Sequence, residues 1–150
     1  MDPVKELLDR SQTAYEFIFH EKQVYSVADG VAYFGIEAGQ TAPTLILKTD
    51  NGYYSLVFSG SRPHIDFKSI ERILGVSHVK LANKSKVHDI TGFAPGDTPM
   101  VGLSLPVIFD KKLFQYPFVY GGSGLPNRTL KISPAALLDL VQPVAFLGNE

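Results

Sequence analysis

Residues 44–47 (TLIL) and 53–59 (YYSLVFS) are apolar runs separated by Asp50-Asn51-Gly52. Asn-Gly between two such runs is a strong hairpin signal, because both residues tolerate the positive φ that tight turns need. The runs should therefore pair as antiparallel neighbours. The first has little polar alternation, which predicts a central strand buried on both faces. Lys48 follows it directly, either as a working lysine held on that strand or as the solvated end before the turn.

Other elements are set by their stops and starts. Asp2 can cap free amides, Pro3 suits the first helical position, and Val4, Leu7 and Leu8 form an apolar stripe. Residues 14–20 (AYEFIFH) read as a strand, and 26–34 as a short helix stopped by Gly35. Asp66 caps a helix running to Leu74, with Gly75 as its stop, and a second short helix covers 84–90. Residues 91–106 form a Gly/Pro-rich loop, 107–109 and 117–120 short strands, and 121–127 (GGSGLPN) a second glycine loop. Alternation returns at 129–132, Ser133-Pro134 opens a last helix, and 141–150 is a tail with no assigned element. Strands and helices mixed without a βαβ rhythm predict an α+β fold, and 150 residues suit a single domain spanning 1–150.

Composition excludes several classes of function. Cysteine is absent, which removes disulfides, thiol catalysis and Cys-ligated zinc. No apolar run approaches bilayer length and the first ten residues lack a signal-peptide pattern, so the expected location is cytoplasmic, without a membrane partner. A net charge of −1 argues against sequence-independent wrapping of DNA, but leaves room for a small contact with one end of an RNA.

Conventional catalytic motifs fail on spacing. His20, His64, His78 and His88 lie at no ligand spacing, so no metal is expected. His20-Glu21 begins a zinc-protease pattern, but Val24 stands where the second histidine is required. Gly121-Gly122-Ser123-Gly124 resembles a nucleophile elbow until Leu125, which makes Ser123 a loop hydroxyl. Neither glycine loop carries a nucleotide-binding signature, and no cofactor is expected. Glycine-loop amides can nevertheless hold an anion or a developing oxyanion. Arg128 and Lys131, beside the second loop, are either phosphate contacts or cations of a solvent-facing strand.

In their order, the two loops carry a resemblance. The first is Thr91-Gly92-Phe93-x-x-Gly96-x-x-Pro99; the second is Val119-Tyr120-Gly121-Gly122-x-x-x-x-Asn127-x-x-Leu130-x-Ile132-x-Pro134. Together with His20, Gly35, Thr44-Leu45 and Asp66, they resemble the YbaK family, which includes the editing domains of bacterial prolyl-tRNA synthetases and free-standing homologues. The likeness covers roughly residues 3–141. It implies a mixed, barrel-like curved sheet with flanking helices, and hydrolysis of a wrong aminoacyl group from tRNA. The implied partners are the tRNA acceptor end and an aminoacyl-tRNA synthetase. By the same resemblance, Gly96 would contact the ester and its oxyanion through its backbone. Gly92, Phe93 and Pro99 would line one wall of the pocket; His20, Gly121, Gly122, Ser123 and Asn127 would shape the rest.

Two positions depart from the family pattern. Catalytically competent members begin the central strand with Lys-Thr-Leu, where this chain has Pro43-Thr44-Leu45. Proline can neither donate a hydrogen bond nor carry charge. An Asp early in the last helix is replaced by Ala136. Lys48 cannot stand in for the lysine, since an odd offset from Pro43 puts it on the opposite strand face, about 16 Å along. Two expectations therefore compete: a deacylase working through backbone amides and the tRNA's own ribose hydroxyl, and a module that binds without turnover.

Overall fold

The structure, a computed structural model, describes residues 2–148. Five helices start where the capping residues place them: α1 (Pro3–Ser11), α2 (Val27–Phe34), α3 (Phe67–Leu74), α4 (Lys84–Thr91) and α5 (Pro134–Val141). Asp2, Ser26, Asp66, Asn83 and Ser133 each accept a first-turn amide, as N-cap side chains do. The strands are β1 (Glu16–Phe19), β2 (Thr41–Ala42), β3 (Thr44–Thr49), β4 (Gly52–Val57), β5 (Val79–Leu81), β6 (Val107–Asp110), β7 (Val119–Gly122), β8 (Arg128–Ile132) and β9 (Ala145–Leu147).

The hairpin is β3–β4, paired from Thr44↔Val57 to Thr49↔Gly52. Its turn is not built on Asn51 and Gly52 together: only Gly52 has a positive φ, at +97°. Thr49 Oγ1 receives the Asn51 amide and donates to the Gly52 carbonyl, both at 2.8 Å, so a side chain closes the turn. β3 is central, between β4 and β5, with Ile46 and Leu47 buried. Lys48 is exposed at its far end.

The fold is α+β, as expected, and its barrel-like core consists of two mixed sheets that do not close into a ring. One has the order β1-β8-β7-β2, with β2–β7 parallel; the other has β5-β3-β4-β6-β9, with β4–β6 and β6–β9 parallel. The chain passes from one sheet to the other at Pro43, between β2 and β3. Residues just beyond β4 follow it across: the Phe58 amide donates to the Pro43 carbonyl at 3.0 Å, and the Gly60 amide to that of Thr41 at 2.9 Å. The main core lies between the sheets and takes Val4 and Leu8 from α1, Val57, Phe109, Ile132 and Leu137. A second core under α3 joins Leu47, Leu56, Ile70, Ile108 and Leu147.

Three sequence expectations are corrected. Gly121 and Gly122 are not loop residues; they end β7, paired with Leu130 and Thr129. The tail carries β9, whose Leu147 is buried beside β6; its last two residues, 149 and 150, lie outside the described residues. The third correction is of omission: β2 and β5 have no counterpart in the sequence reading, their two and three residues being too short to show a pattern.

Candidate active site

A cavity of about 240 Å³ opens between α2, the β2–β3 junction, β7, β8 and the 3-10 turn Pro95–Asp97. Glycine lets these parts meet. A Cβ on Gly121 would lie 2.6 Å from the Ala42 carbonyl oxygen, and one on Gly122 would collide with the Thr98 carbonyl. The Met100 amide donates to the Gly122 carbonyl at 3.1 Å, tying the two glycine segments together. A Cβ on Gly96 would stand 2.7 Å from the ring of Tyr25, so the loop packs flush on that side chain.

His20, Gly96, Gly121, Gly122 and Arg128 all border this cavity. His20 is buried and held at both ring nitrogens, Nδ1 at 2.6 Å from the Lys22 carbonyl and Nε2 at 3.0 Å from Thr129 Oγ1. A carbonyl only accepts, so Nδ1 carries the proton, and in the neutral ring Nε2 accepts from the Thr129 hydroxyl. The edge of the histidine meets Tyr33 at 5.5 Å and Phe34 at 6.2 Å, and Phe34 stacks on Tyr120 at 5.2 Å.

Arg128 does not face solvent, and its guanidinium is already engaged. It is 5% exposed, ion-paired with Asp2, bonded to the Ser123 carbonyl at 2.8 Å, and stacked on Phe17 at 3.8 Å. The guanidinium holds the Asp2 carboxyl below its usual range. Ser123 is fully buried and spends its hydroxyl on this arrangement, donating to the Arg128 carbonyl at 2.6 Å and accepting from Nε at 3.1 Å. Lys131 is half-buried over Phe118 and Tyr120, 3.8 Å from Glu16.

The other expected residues stand outside the cavity lining. Gly92 ends α4, Phe93 packs against the main core, and Pro99 is buried behind the turn. Asn127 contributes its carbonyl, which accepts the His20 amide at 3.0 Å. Of the two departures, Pro43 borders the cavity, whereas Ala136 packs against the main core.

Sequence reasoning gave no site role to Thr44, Asp97 or Thr129, all on the cavity wall. Thr44 Oγ1 is buried without a hydrogen-bond partner. Asp97 lies in the first glycine loop, and burial pushes its carboxyl up from the ordinary value. Their signals were weak: Thr44 is adjacent to Pro43 and Asp97 to Gly96, but Thr129 is recognised only through its bond to His20.

A second hollow, of about 340 Å³, is bordered by Lys48, Lys80, Lys86 and Tyr53. Lys48 and Lys80 stand directly opposite each other on β3 and β5. Among the described residues no three His, Asp or Glu side chains converge to hold a metal, and no helix is long and apolar enough to cross a membrane.

Residues 21–140 match the family model described as the aminoacyl-tRNA editing domain. A proline–tRNA ligase of Thermosipho melanesiensis is 26% identical over 119 residues, covering 78% of this chain and 21% of the ligase. A second proline–tRNA ligase, from Caldicellulosiruptor bescii, is 26% identical over 101 residues, 67% of this chain and 18% of that protein. The chain thus spans about a fifth of each ligase. Among solved structures, a hypothetical protein superposes with a TM-score of 0.89 at 26% identity, over 97% of both chains. A candidate trans-editing enzyme for prolyl-tRNA synthetase superposes with a TM-score of 0.81 at 24% identity, over 97% of this chain and 96% of its own, a likeness of fold.

Proposed function

The chain belongs to the aminoacyl-tRNA editing domain family, and from that premise we propose that it acts in trans as a deacylase, hydrolysing the ester of mischarged tRNA. The cavity supports this reading: a 240 Å³ space with Gly96, Gly121 and Gly122 in its wall has room for an aminoacyl group beside exposed backbone. Water attacks the ester carbonyl, with the free vicinal hydroxyl of the terminal ribose positioned to hold it. The tetrahedral oxygen takes the negative charge and is stabilised by the backbone amide of Gly96. The C–O bond to the ribose then breaks, and the leaving oxygen takes up a proton. With water as nucleophile, the products are free amino acid and uncharged tRNA.

The mouth of the cavity suits an unpaired 3′ end. Tyr25 is 58% exposed and Leu125 44% exposed at its border, and such faces accept unstacked bases. Phosphates of the acceptor stem would meet Lys48, Lys80 and Lys86 rather than Arg128, whose charge is already satisfied. A synthetase that releases the mischarged product would be the functional partner.

Pro43 on the cavity wall favours a second reading, a module that binds the aminoacyl end without turnover. A panel of mischarged tRNAs separates the two. The deacylase reading expects amino acid release above the buffer control for at least one small aminoacyl group. Release at the control level from every member of the panel would overturn it.

A further inference from the structure

Asp97 is the one acidic residue bordering the cavity, and no hydrogen bond or ion pair engages its carboxylate among the described residues. Its position is fixed by backbone. The Asp97 amide donates to the Ala94 carbonyl at 2.9 Å, Thr98 behind it is buried, and Gly96 before it lies against Tyr25. Arg128, the one arginine or lysine on the cavity wall, is neutralised by Asp2. His20 is committed to Lys22 and Thr129. The wall therefore presents one unsatisfied anion.

A half-buried carboxylate without a partner is costly, and the cost disappears when a cation binds beside it. An aminoacyl ester supplies one such cation, the α-ammonium group, on the carbon next to the scissile carbonyl. Resting on the editing reading, we infer that Asp97 is the specificity residue that receives this α-ammonium, so that the cavity selects aminoacyl esters over hydroxyacyl or acyl esters of the same size. The contact also orients the ester: a cation anchored at Asp97 turns the adjacent carbonyl within reach of the Gly96 segment of the same turn. The raised carboxyl value agrees with a site completed by its ligand, since burial alone accounts for it.

The test uses two non-hydrolysable 3′-amide analogues of terminal adenosine, one carrying alanyl and the other lactyl, which differ by ammonium against hydroxyl. Calorimetric titration of the wild type should give about tenfold tighter binding of the alanyl analogue. Asp97→Asn should reduce that ratio to about one while leaving lactyl affinity unchanged, and Asp97→Glu should restore part of it. The wild-type preference should also fall as pH drops through the Asp97 titration, which a purely structural role would not produce. Equal binding of both analogues by the wild type, or an undiminished preference in Asp97→Asn, would overturn the inference and leave the editing reading standing. Loss of deacylation in Asp97→Asn with the preference intact would make Asp97 a base, and also overturns it. Failure of both analogues to bind at all would overturn the editing reading and this inference with it.

Discussion

At the scale of single residues, the strongest constraints come from charges whose partners lie far off in sequence. Asp110 is fully buried and accepts from Arg62 Nε at 2.7 Å, Arg62 Nη2 at 3.0 Å, the Ser59 amide at 2.8 Å and the Lys112 amide at 3.0 Å. Removing the carboxylate takes a fully buried acceptor away from the Arg62 guanidinium and two amides, so Asp110→Ala should destabilise the protein by about 3–5 kcal/mol in urea unfolding. The Asp2–Arg128 pair spans 126 positions, which is why Arg128 read as a phosphate contact or a solvent-facing cation: no local pattern reveals that a helix cap doubles as its counter-ion. A pH dependence follows. Asp2 is lowered from its ordinary 3.8, first by the Arg128 hydrogen bond. A lowered carboxyl stabilises the fold above the unfolded value and loses that contribution as pH falls through the folded one. Asp2→Asn keeps an N-cap side chain but removes the charge, so its unfolding midpoint should fall below wild type at neutral pH. The gap should close below about pH 4, as read by thermal unfolding across pH.

At the scale of elements, helices were legible because their caps are local, and the hairpin because its turn is. The strands beyond them were less so. β9 and β5 are three residues each and exist through pairing with β6 and β3, which no short window shows. Gly121 and Gly122 read as loop because they carry no side-chain pattern, yet the β8 ladder makes them strand. The element view also changes the meaning of Ala136. It is the third residue of α5, one turn beyond Ser133, whose hydroxyl accepts its amide at 3.1 Å. An acidic side chain there would accept from the Ser133 amide, completing a capping box and favouring the helix N-terminus. Because Ala136 also packs against the main core, the carboxylate's desolvation offsets this gain, and Ala136→Asp should change stability by less than about 1 kcal/mol and leave the deacylation rate unchanged. Thermal unfolding and initial rates on one mischarged tRNA check both halves, and a rate increase would return this position to catalysis.

At the scale of the whole molecule, function turns on the point where two sheets share one chain. Pro43 sits at that crossing and on the cavity wall, so a residue there is fixed by β2 on one side and β3 on the other. Such a position can hold a side chain rigidly, which fits the lysine that the family resemblance leads one to expect where this chain has proline. Proline serves the crossing in another way: it needs no partner for an amide it lacks, while its carbonyl still accepts from Phe58. Pro43→Lys should keep that bond and lose about 0.4–1 kcal/mol of stability as the unfolded chain gains freedom. The new ammonium would enter a cavity that otherwise relies on backbone donors for the developing oxyanion. A positioned donor of that kind is worth about 100-fold or more in rate. Single-turnover deacylation of a mischarged tRNA should therefore be measurable in the wild type and at least about 100-fold faster in Pro43→Lys, with unchanged binding of a non-hydrolysable analogue. A wild type at the buffer rate beside an active Pro43→Lys would make this protein a binding module with its chemistry removed at one residue. Equal rates in the two would show that the glycine-walled cavity and the substrate's own hydroxyl suffice without a lysine.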